Sequence, residues 1–508
     1  MNKTILLILI IGILYRLFLT SGGNFIFNMD NARDFIDVRE MVSLHKLRLT
    51  GPTSAIEGLY NGPLWYYLLA VPYIITGGDP YSAIVMEIVL WAVGGFFLLN
   101  LIRNFSIWLV IPIGLVWIAS NYIVLATLYS FNPNPVTLLT PVFIYGLVEY
   151  LKGKRLWIVI VWFLAGAFFN FEMNVGIFTP LIVFISLFIF NKKSFFDKYF
   201  WIGILIFTLA LLPQLLFDLK HNFNMSKAVI NFVTVNKGIG LNFPGRINTI
   251  WNSYYNVFQG TMFNQKTLSW AILFLSLPIL GVFLLKVKKN IIISTTILFI
   301  LIPFTGYLIL PVTVNPWHLG GFASASLILI AFVIHRLWKI NFLGKITTVI
   351  LFIALVFFPL KEITKFFTHD IFTSSSDPSV LKNEVAAIDY VYQYAKGQNF
   401  QVYTYLPSVY DYPYQYLIWW HGMKKFGYLP SEYSYAPNKP EYIPGKAFFS
   451  ASMNDLKLRS DSNLVFLIKE PNRNYTRFGW EGDFVKMESI HKQMVGPIEV
   501  EVRKEIKR

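Results

Sequence analysis

Met29-Asp30-Asn31-Ala32-Arg33-Asp34 is a short polar stretch between an apolar run, 5–19, and an aromatic one, Asn61-Gly62-Pro63-Leu64-Trp65-Tyr66-Tyr67. The first run reads as a membrane helix. If residues 30–37 are helical, Asp30, Asp34 and Asp37 share one face, and Arg33 sits a turn from Asp30 and Asp37. Three carboxylates and a guanidinium at a membrane surface cost solvation and repel one another, so they call for a reason. Two readings stand: a solvated, charge-balanced loop helix, or a catalytic carboxylate facing a lipid-borne substrate. The rest of the chain has to decide.

The 508 residues are 55% hydrophobic and 18% aromatic but only 14% charged, whereas soluble domains run about 45–50% apolar and roughly a quarter charged. Apolar runs at 5–19, 80–102, 107–125, 135–151, 156–170, 176–190, 199–217, 268–285, 291–310, 319–335 and 344–360 predict about eleven spanning helices. Lys3, Arg103, Lys152/Lys154/Arg155, Lys192/Lys193/Lys198, Lys286/Lys288/Lys289 and Arg336/Lys339/Lys345 fall in alternate gaps. The short loops between, 129–135, 171–175 and 311–317, hold neither Lys nor Arg. The positive-inside rule then puts the N-terminus in the cytoplasm, and an odd helix count puts the C-terminus outside. Lys3 and the apolar run after it resemble a signal peptide, but no small-x-small site follows, so the first helix is read as uncleaved.

Much of the net charge of +15 follows from this topology. No basic stripe with interleaved aromatics marks a nucleic-acid groove, so no nucleic-acid partner is expected. The chain has no cysteine, which excludes disulfides and cysteine-ligated metal. Two long loops fall outside. The first, 21–78, holds the acidic stretch and an aromatic segment, 62–75, that is short and interrupted by Pro72; it reads as an interfacial helix. The second, 218–266, predicts a surface helix near 247–258. Past residue 360 the spans stop, and Ser374-Ser375-Ser376-Asp377-Pro378 marks a linker. The expected organisation is a membrane module over 1–360, a linker over 361–378 and a small extracytoplasmic α/β domain over 379–508. That domain starts with a helix at 380–395 and has β-like runs at 400–405 and 464–469. Its Tyr- and Trp-rich segment, 403–435, reads either as core and membrane-facing surface or as a platform that stacks on sugars. The fold class is mainly α: a polytopic membrane bundle with interfacial helices in the first outer loop.

The order of these blocks resembles the integral-membrane GT-C glycosyltransferases, in the bacterial branch related to protein O-mannosyltransferases and lipid A aminoarabinose transferases. Asp30-Asn31-Ala32-Arg33-Asp34 looks like the acidic first-loop motif. Gly51-Pro52-Thr53-Ser54 with Gly58-Leu59-Tyr60-Asn61-Gly62-Pro63-Leu64-Trp65-Tyr66-Tyr67-Leu68-Leu69-Ala70 looks like a second block, and Phe131-Asn132-Pro133-Asn134-Pro135 resembles a third. The likeness covers most of the first 190 residues and, through topology, the helical part to about 360. It implies transfer of one sugar from a polyprenyl-phosphate carrier to an acceptor glycan, lipid or protein at the outer face of the cytoplasmic membrane.

Such a donor is already activated, since phosphate is the leaving group. One carboxylate within hydrogen-bond reach of the acceptor hydroxyl suffices as general base. Asp30 matches the acidic position of the family and is the expected base, with Asp34 tuning it or binding acceptor. The leaving phosphate needs cations: Arg33, Arg16 near the outer end of the first helix, Lys237 and Arg246 in the second long loop, and His318. Arg16 equally suits a snorkelling role and His318 a helix cap. Glu172 is a second carboxylate at an outer helix end, for acceptor or metal, or facing water. No cofactor is required, and no spacing demands a metal, although Asp30, Asp34 and Glu172 would hold a divalent ion if they converged. Glu87 and Glu149 lie inside apolar helices, where carboxylates are costly; the first is expected to support the interfacial helices, and the second, near the cytoplasmic end beside Lys152, to be structural. The competing functions are a transporter or flippase of lipid-linked sugars, and a ligase or polymerase of whole glycans. Transporters concentrate ionisable groups at mid-membrane and often show internal repeats, whereas here the polar groups gather in outer loops.

Overall fold

The computed structural model describes residues 3–54, 56–235, 243–284, 290–310, 312–368, 377–440, 464–472 and 476–505. The N-terminal part is helical: α1 (Lys3–Thr20), α2 (Met29–Ser43), α3 (Leu64–Thr76), α4 (Tyr81–Arg103), α5 (Val110–Ala119), α6 (Asn121–Leu128), α7 (Asn134–Leu151), α8 (Trp157–Phe171), the single turn α9 (Met173–Gly176), α10 (Thr179–Phe190), α11 (Lys198–Lys220), α12 (Asn224–Val235), α13 (Phe243–Thr261), α14 (Lys266–Leu284), α15 (Ile291–Ile309), α16 (Phe322–Trp338) and α17 (Phe342–Thr368). Each of the eleven expected apolar runs is helical. Among the described residues, six stretches are long and apolar enough to cross a membrane: α1 with its extension to Gly23, α4, α9 with α10, α11, α15 and α17. The expected single span at 107–125 is instead a pair, α5 and α6, bent by 49°, because Ser120 takes an extended ψ of 127° between them. The surface helix expected at 247–258 is the middle of α13. α12 was not expected at all, and α17 runs on to Thr368, into the expected linker.

Close packing explains several small residues in the spans. A Cβ on Gly94 would lie 1.8 Å from the Leu138 carbonyl oxygen, so α4 and α7 touch backbone to backbone there. Trp91 and Trp117 stack at 6.3 Å, and each indole donates to the other's carbonyl, at 3.1 and 3.3 Å. Buried indoles need such acceptors in an apolar interior.

The C-terminal part comprises α18 (Leu381–Ala395), β1 (Gln401–Tyr405), α19 (Tyr412–Leu417), α20 (Met423–Phe426), β2 (Glu432–Ser434), β3 (Leu464–Lys469), α21 (Arg477–Gly482), β4 (Met487–Val495) and β5 (Ile498–Glu505). The sheet order is β2-β1-β3-β5-β4, with β2, β1 and β3 parallel and β5 and β4 antiparallel to their neighbours. β3 is buried on both faces, which accounts for its unbroken apolar run. Leu464, Phe466 and Ile468 join the main core, while Val465 and Leu467 pack with Tyr403, Tyr405, Trp480 and Phe484. The strand ends on a buried Lys469, held by Glu481, Glu499 and Glu501.

This module is tied to the start of α2. The Phe27 amide donates to the Ser379 carbonyl at 2.8 Å, the Leu381 amide to Phe25 at 2.9 Å, and the Ile26 amide to Leu128 at 3.1 Å. Gly77, in the left-handed region at φ 66°, ends α3. Its carbonyl accepts the Trp420 indole at 3.1 Å, and the Gly78 carbonyl accepts the Tyr416 hydroxyl at 2.6 Å. Most of the Tyr-rich segment is therefore core and docking surface: Tyr403, Tyr405, Tyr414, Tyr416 and Tyr433 are all buried.

Candidate active site

Asn28 starts α2 where the polar stretch predicts a start. Its side chain accepts the Asp30 amide at 3.0 Å, and the Asn31 side chain accepts the Asn28 amide at 3.0 Å, a reciprocal cap. Asp30, Arg33 and Asp34 then form one ion-pair cluster. Arg33 reaches Asp30 at 3.1 Å and Asp34 at 2.9 Å. The two carboxylates differ in access, Asp30 being 24% exposed and Asp34 1%. Asp34 is closed over by Trp65, whose indole donates to Oδ2 at 2.7 Å. Burial raises its carboxyl to about 6, although Arg33 and the Trp65 indole both pull it down. Asp30 takes its other bond from Tyr129, whose hydroxyl donates to Oδ2 at 3.2 Å. Burial and Asp30 raise the Tyr129 phenol, so it stays protonated and remains a donor.

Asp37 faces a different pair: the Tyr66 hydroxyl at 2.7 Å and Arg48 at 2.8 Å. Thus α3, the expected interfacial helix, lays consecutive aromatics along the acidic helix, with Trp65 on Asp34, Tyr66 on Asp37 and Tyr67 on the Arg48 carbonyl at 2.7 Å. Its other side leaves Val71, Ile74 and Ile75 exposed, an apolar face suited to lipid. The turn before α3 is clamped to α8: the Gly62 amide donates to the Asn170 carbonyl at 3.0 Å, and a Cβ on Gly62 would lie 1.8 Å from Asn170 Oδ1. The third sequence block closes the ring. The Asn31 side chain donates to the Ser130 carbonyl, and the Asn132 side chain donates to the Phe171 carbonyl at 2.6 Å.

A second polar group follows α8. Glu172 caps α9 by accepting the Asn174 amide and side chain, at 3.2 and 2.7 Å. It is buried, and burial raises its carboxyl to about 7 against the pull of Asn174. Tyr307 bridges this turn to the loop before α16, its hydroxyl donating to the carbonyls of Asn174 at 3.0 Å and His318 at 2.7 Å. Arg246 holds the Tyr307 carbonyl with two nitrogens, at 3.0 and 2.8 Å.

Two solved structures of ArnT from Cupriavidus metallidurans, one in the apo state and one bound to undecaprenyl phosphate, align over 98% of this chain and 97% of theirs, with a TM-score of 0.59 and 11% identity. The chain has an ArnT-like fold. No family model matches the sequence, and no curated protein matches it.

On this ArnT-like frame the remaining sequence candidates separate. Arg16 reaches no surface: it is fully buried, donates to Thr127 at 3.0 Å and the Trp117 carbonyl at 3.3 Å, and lies 3.8 Å over the Trp91 ring. It cross-links α1 to α5 and α6, in place of the phosphate contact or snorkelling expected. His318 sits beside the Thr313 carbonyl at 3.0 Å; burial lowers its pKa to about 4, so at neutral pH it carries no charge for a phosphate. Lys237 lies outside the described residues. Glu87 is fully buried in α4. Glu149 pairs with Lys152 and Lys154 at 2.9 and 2.5 Å. Among the described residues no three His, Asp or Glu side chains form a metal ligand set, so Asp30, Asp34 and Glu172 do not converge on one ion. Sequence reasoning gave no individual role to Trp65, Tyr129 or Arg48, although Trp65 lies within the second sequence block and Tyr129 adjoins the Phe131–Pro135 block.

Proposed function

We propose that this chain is a membrane glycosyltransferase that moves one sugar from a polyprenyl-phosphate donor to an acceptor hydroxyl, with inversion, at the outer face of the cytoplasmic membrane. One observation carries the reading: a half-open carboxylate, Asp30, held by Arg33 and Tyr129 at one end of an ArnT-like bundle. In the reaction the acceptor oxygen bonds to the anomeric carbon as the bond from that carbon to the phosphate oxygen breaks. The acceptor proton passes to Asp30, and the carrier leaves as polyprenyl phosphate. Asp30 is the base because it is reachable; Asp34, sealed under Trp65, anchors Arg33 and so orients the base. Arg33 and Arg246 are the described candidates that fit the leaving phosphate. Glu172 fits an acceptor-binding role. The undecaprenyl phosphate bound by ArnT is the kind of carrier expected here. The reading places residues 1–360 as the transferase module, with the N-terminus cytoplasmic, and 379–508 as an outer domain.

Purified chain in phosphatidylglycerol vesicles, given polyprenyl-phosphate sugars, tests it. Donor-dependent release of sugar or its transfer to acceptor supports the transferase. Movement of intact lipid-linked sugar across the bilayer with no release assigns the flippase, and transfer of preassembled glycans alone assigns the ligase.

A further inference from the structure

The end of the bundle opposite α2 carries a cluster that sugar transfer does not use. α7 begins at the Tyr129–Asn134 bridge and α8 ends at Phe171 beside Asn132. The α7–α8 turn therefore lies a helix length from the acidic site. There, between the first residues of α8 and α11, opens a cleft of about 480 Å³ lined by Lys154, Arg155, Leu156, Trp157, Lys198 and Tyr199. Three of these six are cations and two are aromatic. Lys154 is shared with Glu149, which Lys152 also neutralises, at 2.5 and 2.9 Å respectively. Asp197 is committed to capping α11 through the Tyr199 amide at 3.2 Å and to the Tyr150 hydroxyl at 3.4 Å. The two adjoining loops carry Lys152, Lys154, Arg155, Lys192, Lys193 and Lys198, against Glu149 and Asp197 as the carboxylates in the same stretches of sequence, so positive charge is in clear excess.

The rim of the cleft is apolar as well as basic. Leu156 is 67% and Phe196 91% exposed, and below them Ile160, Phe163, Trp201, Ile202 and Leu205 line the outer faces of α8 and α11. A free anion in water has no use for such a rim; a headgroup with acyl chains running down the helices does. We propose that this cleft binds the phosphodiester headgroup of an anionic membrane phospholipid. Arg155 and Lys198 are its main ligands, Lys154 contributes at the edge, and Trp157 and Tyr199 form the walls. Arg155 gives two parallel donors to a phosphate and Lys198 a point charge. The site is independent of the sugar-transfer reading.

The test is lipid binding to the full chain in detergent, followed by native mass spectrometry with phosphatidylglycerol, phosphatidylcholine or inorganic phosphate. Each basic residue near an anionic surface is worth about fivefold in affinity, so Arg155→Ala with Lys198→Ala weakens phosphatidylglycerol binding about thirtyfold. Lys220→Ala with Lys227→Ala, the same charge change at the opposite end, leaves it intact. Arg155→Gln alone weakens it about fivefold and serves if the double variant does not fold. The proposal is overturned if wild type does not prefer phosphatidylglycerol to phosphatidylcholine. Equal binding by the variants also overturns it, as does inorganic phosphate displacing the lipid at equal concentration.

Discussion

Asp30 and Asp34 sit one turn apart, share Arg33, and are divided only by what covers them. Trp65 seals one and leaves the other to Tyr129 and solvent. Replacing Asp34 by Asn removes the carboxylate that anchors Arg33 and weakens the indole bond. We expect a loss of about 2 kcal/mol, read by denaturation in detergent, together with reduced turnover. Glu172 makes a pH prediction. Its folded pKa of about 7 lies above the ordinary 4.5, so the folded state binds the extra proton, and stability is greatest below about 4.5 and falls as pH rises to about 7. Glu172→Gln removes that slope, changing the stability gap to wild type by about 3 kcal/mol between pH 4 and pH 8; parallel curves for the two proteins would contradict it. Asp30, Arg33 and Asp34 were legible because charge beside a membrane is expensive wherever it occurs. Trp65 and Tyr129 were not, since their hydroxyl and indole partners are set by tertiary contact. Arg16 misled for a related reason: position near a helix end says nothing about which way the side chain turns.

At the scale of elements, α2 works because α3 and the turn before it are held still. Gly62 is where that turn touches α8, and Gly62→Ala would put a Cβ 1.8 Å from Asn170 Oδ1. We expect a destabilisation of about 1–3 kcal/mol, measured as a lower melting temperature, with turnover falling further than folding alone explains because Trp65 shifts off Asp34. Trp65→Phe keeps the ring but leaves Asp34 Oδ2 without its donor; about 1–2 kcal/mol of stability should go, with Gly62 packing intact. The apolar helices were readable as helices because long apolar runs mark them, but their number as spans was not: among the described residues six are long and apolar enough to cross a membrane, against the eleven expected. The bend at Ser120 went unread, although the polar pair Ser120-Asn121 interrupts the apolar run there. α12 was missed because Asn224, Ser226, Lys227 and Asn231 make its exposed side look like loop.

At the scale of the molecule, the helical part and the C-terminal module meet at the start of α2. Phe25–Phe27 pairs with Ser379–Leu381, while Tyr416 packs on Phe27 and Phe35 at 5.8 and 5.3 Å. The module thereby braces the helix that carries Asp30. Tyr416→Phe keeps this packing and loses the bond to Gly78, costing about 1 kcal/mol, measurable as a lower melting temperature. The α/β character of the module was readable from β3, whose apolar run coincides with the strand. Its docking was not, because no local pattern in the Tyr-rich segment says which surface it covers.

In the proposed reaction Asp30 accepts the acceptor proton. The most direct test is the rate of sugar transfer from polyprenyl-phosphate donors by Asp30→Asn in vesicles, beside wild type. We expect a loss of about a hundred- to ten-thousandfold with an unchanged melting temperature. A folded Asp30→Asn protein with wild-type turnover would contradict it.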